Sequence, residues 1–147
     1  MAPTTKKKIL ISLLFLAMGT IVFGLYLYNK GPLDIRSSKG LAVKAVDLYS
    51  IFYTDSVVAG KMYIDKVLRV EGTIKEVSQN ASQQQVILFK TGIAEAAINC
   101  TMEMPIQNIH LSDKLVIKGI CSGIGQGDAD LGIVGDVYLT RCYSTIK

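Results

Sequence analysis

The residues able to do chemistry are few. The chain has three cysteines (Cys100, Cys121 and Cys142), one histidine (His110), and one acidic cluster ending in glycine, Asp128-Ala129-Asp130-Leu131-Gly132. The cysteines form no C-x-x-C pair, and a single histidine cannot complete the His/Cys spacing of a zinc site or of thioredoxin-like redox chemistry. The acidic cluster begins like a calcium loop. Its glycine comes one place early, however, and the twelfth position from Asp128 is Leu139, where a bidentate Glu is needed. It reads as a polar loop. His110 lies between Ile109 and Leu111 with no nucleophile or orienting acid set beside it. No catalytic residue, metal ligand or cofactor-binding residue is assigned, so the chain reads as a non-enzymatic protein without a cofactor.

The elements that carry these residues start with an apolar run. Lys6-Lys7-Lys8 precedes Ile9 to Tyr28, ILISLLFLAMGTIVFGLYLY, which contains no charge. A helix of that length spans roughly 30 Å, the hydrocarbon thickness of a bilayer, and satisfies its own backbone. The run exceeds a signal-peptide core and ends without a small-x-small cleavage site. No cysteine near its end offers lipid attachment. It reads as a retained signal anchor rather than a cleaved signal peptide or a buried soluble helix. The lysine cluster places residues 1–8 as a cytoplasmic basic tail, with 9–28 as the transmembrane helix. Tyr26 and Tyr28 sit at the far interface, and the rest of the chain lies outside the cytoplasm, in a periplasm. Thr20 and Gly24 make a small-xxx-small pair, which is ordinary composition for a lipid helix.

Charge follows the same division. The formal net charge is +4, from sixteen basic and twelve acidic residues. All twelve acidic residues follow residue 30; removing Lys6, Lys7, Lys8 and Lys30 leaves twelve basic ones, so the exported part sums to 12 − 12 = 0. The excess marks topology. No basic stripe of the kind that supplies non-specific nucleic-acid affinity is evident in the sequence.

Residues 29–38, containing Gly31-Pro32, read as a linker. In the remaining domain, 39–147, a helical segment is predicted over 39–63. Leu41, Ala45, Leu48 or Tyr49 and Phe52 fall on one stripe, with Ser37 or Ser38 as cap. Asp55 is a candidate cap for a second short turn. From Val67 the period becomes two. Five strands are predicted in a barrel over 67–146: from Val67, Gln85 to Lys90, Ala97 to Met102, Leu115 to Cys121, and Val137 to Tyr143. Five short strands after a helix suggest a small Greek-key barrel of OB-fold type, since closure removes exposed edges. An SH3-like barrel or an open sheet on the helix fits the same periodicity. Gly72 and Gly119 fall mid-strand, where a small barrel bends sharply.

The stretch from about Ala45 to Ile146 resembles the tRNA_anti-like family of small bacterial envelope OB-fold proteins. The resemblance rests on Asp47-Leu48-Tyr49 with Phe52, Ala59-Gly60-Lys61-Met62-Tyr63, and Leu68 to Ile74. It continues through Ile98 to Met102, Val116 to Gly123, and Gly135 to Cys142. It implies fold more than function. The membrane helix departs from the lipoprotein-like pattern of many relatives, and the loop between Cys121 and Asp136 is longer than usual. In that setting the triplets Asn80-Ala81-Ser82 and Asn99-Cys100-Thr101 are chance matches to a glycosylation signal.

In an OB-like barrel the last two strands are neighbours, so Cys121 and Cys142 form a candidate disulfide, worth about 3 kcal/mol by loop closure. Cys100–Cys142 is the competing arrangement, and buried free thiols are the third. The usual OB ligand face offers Phe89, Lys90, Asn99, Thr101 and Glu103, with no aromatic series for base stacking. The ligand residues are therefore unassigned. The chain is expected to be a single-pass protein of the inner membrane, N-terminus in the cytoplasm, whose domain binds a protein, an envelope polymer or a small ligand. A nucleic-acid-binding OB domain, and an accessory subunit docked through its helix, are the alternatives.

Overall fold

The computed structural model describes residues 5–29, 34–128 and 130–145. Parts of the predicted tail and linker, together with Ala129, Ile146 and Lys147, lie outside the described residues. The chain forms two compact units, Met1–Asp34 and Ile35–Lys147. The first contains α1 (Thr5–Asn29). Its apolar side chains are solvent-facing all round, from Ile11 through Phe15 and Ile21 to Tyr28. A helix apolar on every face, exposed along Ile11–Tyr28, is one suited to an apolar surrounding.

The second unit runs β1 (Leu41–Lys44), α2 (Ala45–Thr54), α3 (Ser56–Tyr63), β2 (Val67–Gln79), β3 (Gln85–Lys90), β4 (Ala97–Met102), β5 (Lys114–Ile124) and β6 (Val137–Ser144). The five strands expected from period-two alternation are β2 to β6. They are joined in the order β2-β3-β4-β6-β5, and β5 returns to β2 to close the barrel. The β4–β6 pair is parallel and the other pairs of the barrel are antiparallel. This is the connectivity of an OB-fold-like barrel.

Two details correct the sequence reading. Leu41–Lys44 is a strand and not the first turn of the helix. It pairs in parallel with Leu68–Glu71 of β2, opposite the edge that β5 occupies, and so covers backbone that β3 does not reach. The helix therefore begins at Ala45, with Lys44 at its N-cap and no side-chain cap, so Ser37 and Ser38 do not cap it. Asp55 does cap α3, its carboxylate accepting from the N–H groups of Val57 (3.1 Å) and Val58 (2.9 Å).

The core is one cluster. Ala45, Leu48, Tyr49 and Phe52 from α2 join Leu68, Val70, Ile74, Ile87, Phe89, Ile98, Ile117 and Leu139 from the barrel. Burial of each large aliphatic or aromatic side chain supplies about 1.5–3 kcal/mol. The Tyr49 hydroxyl donates to the Gly135 carbonyl at 3.0 Å, tying α2 to the segment before β6. Asp136, next along, accepts from the Ala97 N–H at 2.8 Å and fixes that segment to the start of β4.

Gly72 and Gly119 make the closure possible by what they lack. A Cβ on Gly72 would fall 2.5 Å from the Phe89 ring, and one on Gly119 would fall 2.5 Å from Cys142 Sγ. The inward residues of β3 and β6 cross directly over these backbones. Substitution Gly72→Ala is expected to lower unfolding free energy by about 1–3 kcal/mol, the usual cost of overpacking. Chemical denaturation would measure it. Pairing it with Phe89→Leu should recover part of the loss; strictly additive losses would show that the Phe89 contact is not the cause.

Candidate functional site

The three thiols are buried and free. The candidate Cys121–Cys142 bridge is not formed, and the strand register explains why. Cys121 lies opposite Leu139. Between Leu139 and Cys142 the pairing shifts, and Arg141 takes a left-handed backbone, φ 51°. That extra residue is a β-bulge. It returns Cys142 to the inner face, where strict alternation would have turned it outward. Cys142 then sits over Gly119. Interaction with the Cys142 thiol, then burial, pushes the Cys100 thiol well above its ordinary range, and burial raises Cys121. All three side chains are fully buried, so the sulfurs pack in the core.

The other sequence candidates are also accounted for. His110 is exposed, its Nδ1 3.6 Å from Asp113 Oδ2, and the same carboxylate oxygen accepts the His110 N–H at 2.8 Å. Asp128 is a turn residue: its Oδ1 accepts from the N–H groups of Asp130 (3.0 Å) and Leu131 (3.3 Å).

On the outer face of β3 and β4 the register aligns Glu76, Leu88, Asn99 and Tyr138 in one row across four strands. Phe89, expected near this face, points into the core at 0% exposure. Asn99 and Thr101 are on it, half-buried. Glu103 lies 4.0 Å from Arg141, a partly exposed pair of small energetic weight. Tyr138, 42% exposed, is the aromatic that sequence reasoning missed. It could have been found from the alternation of Val137, Tyr138 and Leu139.

A groove of about 1020 Å³ lies between the β4–β5 connection and the end of β6. Gln85 pins the connection: its side chain donates to the Ile106 carbonyl (3.1 Å) and accepts from the Ile106 N–H (2.8 Å). The groove combines the apolar Met104, Ile106 and Ile109 with the cations of Arg36, Lys114 and Lys118. Arg36 lies 4.6 Å over the Tyr143 ring and donates to Met104 Sδ. Such a stacked guanidinium is held in place by its ring. A surface of this mixture can hold an extended ligand with apolar and anionic groups. Sequence reasoning could not place it, because Arg36 lay in the predicted linker.

The model of the family described as tRNA_anti-like matches residues 1–130. The chain belongs to the tRNA_anti-like family. The match includes the apolar α1 and stops before β6, whereas the motifs quoted from the sequence run from Ala45 to Ile146. No curated protein is similar to this tRNA_anti-like chain by sequence. Among solved structures, it is similar to one described as an aspartyl-tRNA synthetase from Leishmania major Friedlin. The identity is 5% and the TM-score 0.44, over 80% of this chain and 23% of that one. The chain thus spans less than a quarter of that protein's length.

The raised groups set a pH dependence. Cys100 and Cys121 are raised above the ordinary thiol value of 9.0. The Tyr49 phenol is raised above 10.0 by burial, with Asp136 and Tyr53 adding. In each case folding favours the protonated form. That stability is fully present below the ordinary value and is lost as pH rises through the folded one. Under reducing conditions the unfolding midpoint is expected to fall between roughly pH 8 and 11, and Cys100→Ala should flatten the first part of the fall. Thermal unfolding across that range checks it; a midpoint that rises would contradict the assignment.

Proposed function

We propose that this tRNA_anti-like protein is a non-enzymatic binding module, anchored in the inner membrane by α1, with its barrel domain in the periplasm. The observation that carries the reading is α1 itself. Its window Ile11–Tyr28 has a mean hydropathy of 2.0 with none of it buried. The flanking Lys6-Lys7-Lys8 favours a cytoplasmic N-terminus. The binding role is supported by the closed barrel. Its interior is filled by side chains such as Phe89, Ile98 and Ile117, so a ligand must sit on the outside. The groove between Met104 and Tyr143 is the surface best shaped for one, and an envelope polymer or a protein segment with acidic and apolar groups matches its lining.

Nucleic acid fits the OB ligand face less well. The row Glu76, Leu88, Asn99 and Tyr138 offers one aromatic and one acid where single-strand binders use a positive aromatic groove. An accessory-subunit role would use the same anchor as a docking helix.

Two measurements test the reading. A C-terminal alkaline phosphatase fusion in a bacterial host is expected to be active, and an inactive fusion would put the domain in the cytoplasm. Capture through the intact chain is expected to recover a partner that is lost with Arg36→Glu. Capture unaffected by that change would remove the groove from the binding surface.

A further inference from the structure

The domain's formal neutrality conceals a separation of charge. The outer face of β1, β2 and β5 is basic. Pairing sets Lys44 opposite Glu71, Arg69 opposite Lys118, and Thr73 opposite Lys114. These residues alternate with the buried Leu68, Val70, Leu115 and Ile117, so their side chains share the outer surface. Lys90 joins them from the end of β3, reaching across to Ser112 Oγ at 3.3 Å. Lys44, Lys90 and Lys114 together line a concavity of about 260 Å³ around Glu71 and Thr73. Lys75 and Lys90 line the next one. Glu71 stands within this face; Asp113 and Glu95 stand at its margins. Among the described residues, none of Lys44, Arg69, Lys75, Lys90, Lys114 or Lys118 forms an ion pair. The sequence sum hid the face, because its cations come from four strands and most of the balancing acids lie elsewhere.

We propose that this face lies against anionic phospholipid headgroups. The proposal rests on the anchor reading above. Two observations favour a lipid surface over other anions. First, the chain enters the domain on this face: Lys118 Nζ donates to the carbonyls of Arg36 (3.2 Å) and Ser38 (2.7 Å). Residues 30–34, which join α1 to the domain, can reach at most roughly 20 Å however they run. The entry point, and the lysines around it, are therefore tethered near the headgroups. Second, the ring in register with this face is Tyr143, opposite Lys118 and covered by Arg36; one covered ring is not the series of stacking platforms that single-stranded nucleic acid uses. Each basic side chain brought to an anionic leaflet favours association by about fivefold, over a range of roughly one Debye length.

Lysine footprinting of the full chain tests this. The protein is reconstituted in vesicles of phosphatidylcholine, with or without phosphatidylglycerol, and treated with an amine-acylating reagent; each lysine is then read by mass spectrometry. Acylation of Lys44, Lys90 and Lys114 is expected to slow by at least about threefold on the anionic vesicles and to recover in high salt. Lys61, carried on α3 and outside these strands, should not change. Equal rates on both vesicles, with α1 resisting carbonate extraction, would overturn the proposal and leave the anchor standing. Slowing of all lysines alike would also overturn it. Release by carbonate would remove the anchor and the proposal with it. Protection by an oligothymidylate on neutral vesicles, without protection by phosphatidylglycerol, would reassign the face to nucleic acid.

Discussion

The pairing of β2 with β5 is the constraint on which the soluble unit depends. It runs from Val67↔Ile120 to Thr73↔Lys114 and turns an open sheet into a barrel. Closure brings inward side chains within van der Waals distance of facing backbone, and that is tolerable only where Gly72 and Gly119 carry no Cβ. Once closed, the interior is filled at close packing, and α2 adds Leu48, Tyr49 and Phe52 to the same core. The Tyr49–Gly135 and Ala97–Asp136 hydrogen bonds then hold the long β5–β6 connection to the rest.

A filled barrel directs function outward. The thiols are an instance: residues that looked like chemistry are consumed by packing, with Cys142 over Gly119 and against Cys100. What remains outside is of three kinds. The face across β3 and β4 is polar and mixed. The groove by Arg36 and Tyr143 is amphipathic. The face of β1, β2 and β5 is basic. That last distribution gives a neutral domain an orientation in an electric field, which net charge alone cannot express.

Much of the fold was legible. Alternation in Leu68-Arg69-Val70-Glu71 and in Ala97 to Met102 located strands because one face of each is buried. What failed did so for tertiary reasons. Leu41 fits a helical stripe with Ala45 and Leu48; the bare edge of β2 made Leu41–Lys44 a strand. Val86-Ile87-Leu88-Phe89 is apolar on both faces, so its alternation could not tell that Phe89 points inward. The direction of Cys142 depended on one bulge residue, Arg141, which carries no turn signature. The site was less legible than the fold, since Arg36 meets Tyr143 only after the chain has crossed the barrel.

The most direct test of a closed barrel sealed by α2 is native-state hydrogen exchange on the full chain. The amides of Val67–Thr73, of Lys114–Ile120 and of Leu48–Phe52 should be the slowest and should exchange together, as one cooperative unit. Fast, independent exchange along the β2–β5 seam, with β3 and β4 still protected, would contradict closure and describe an open sheet instead.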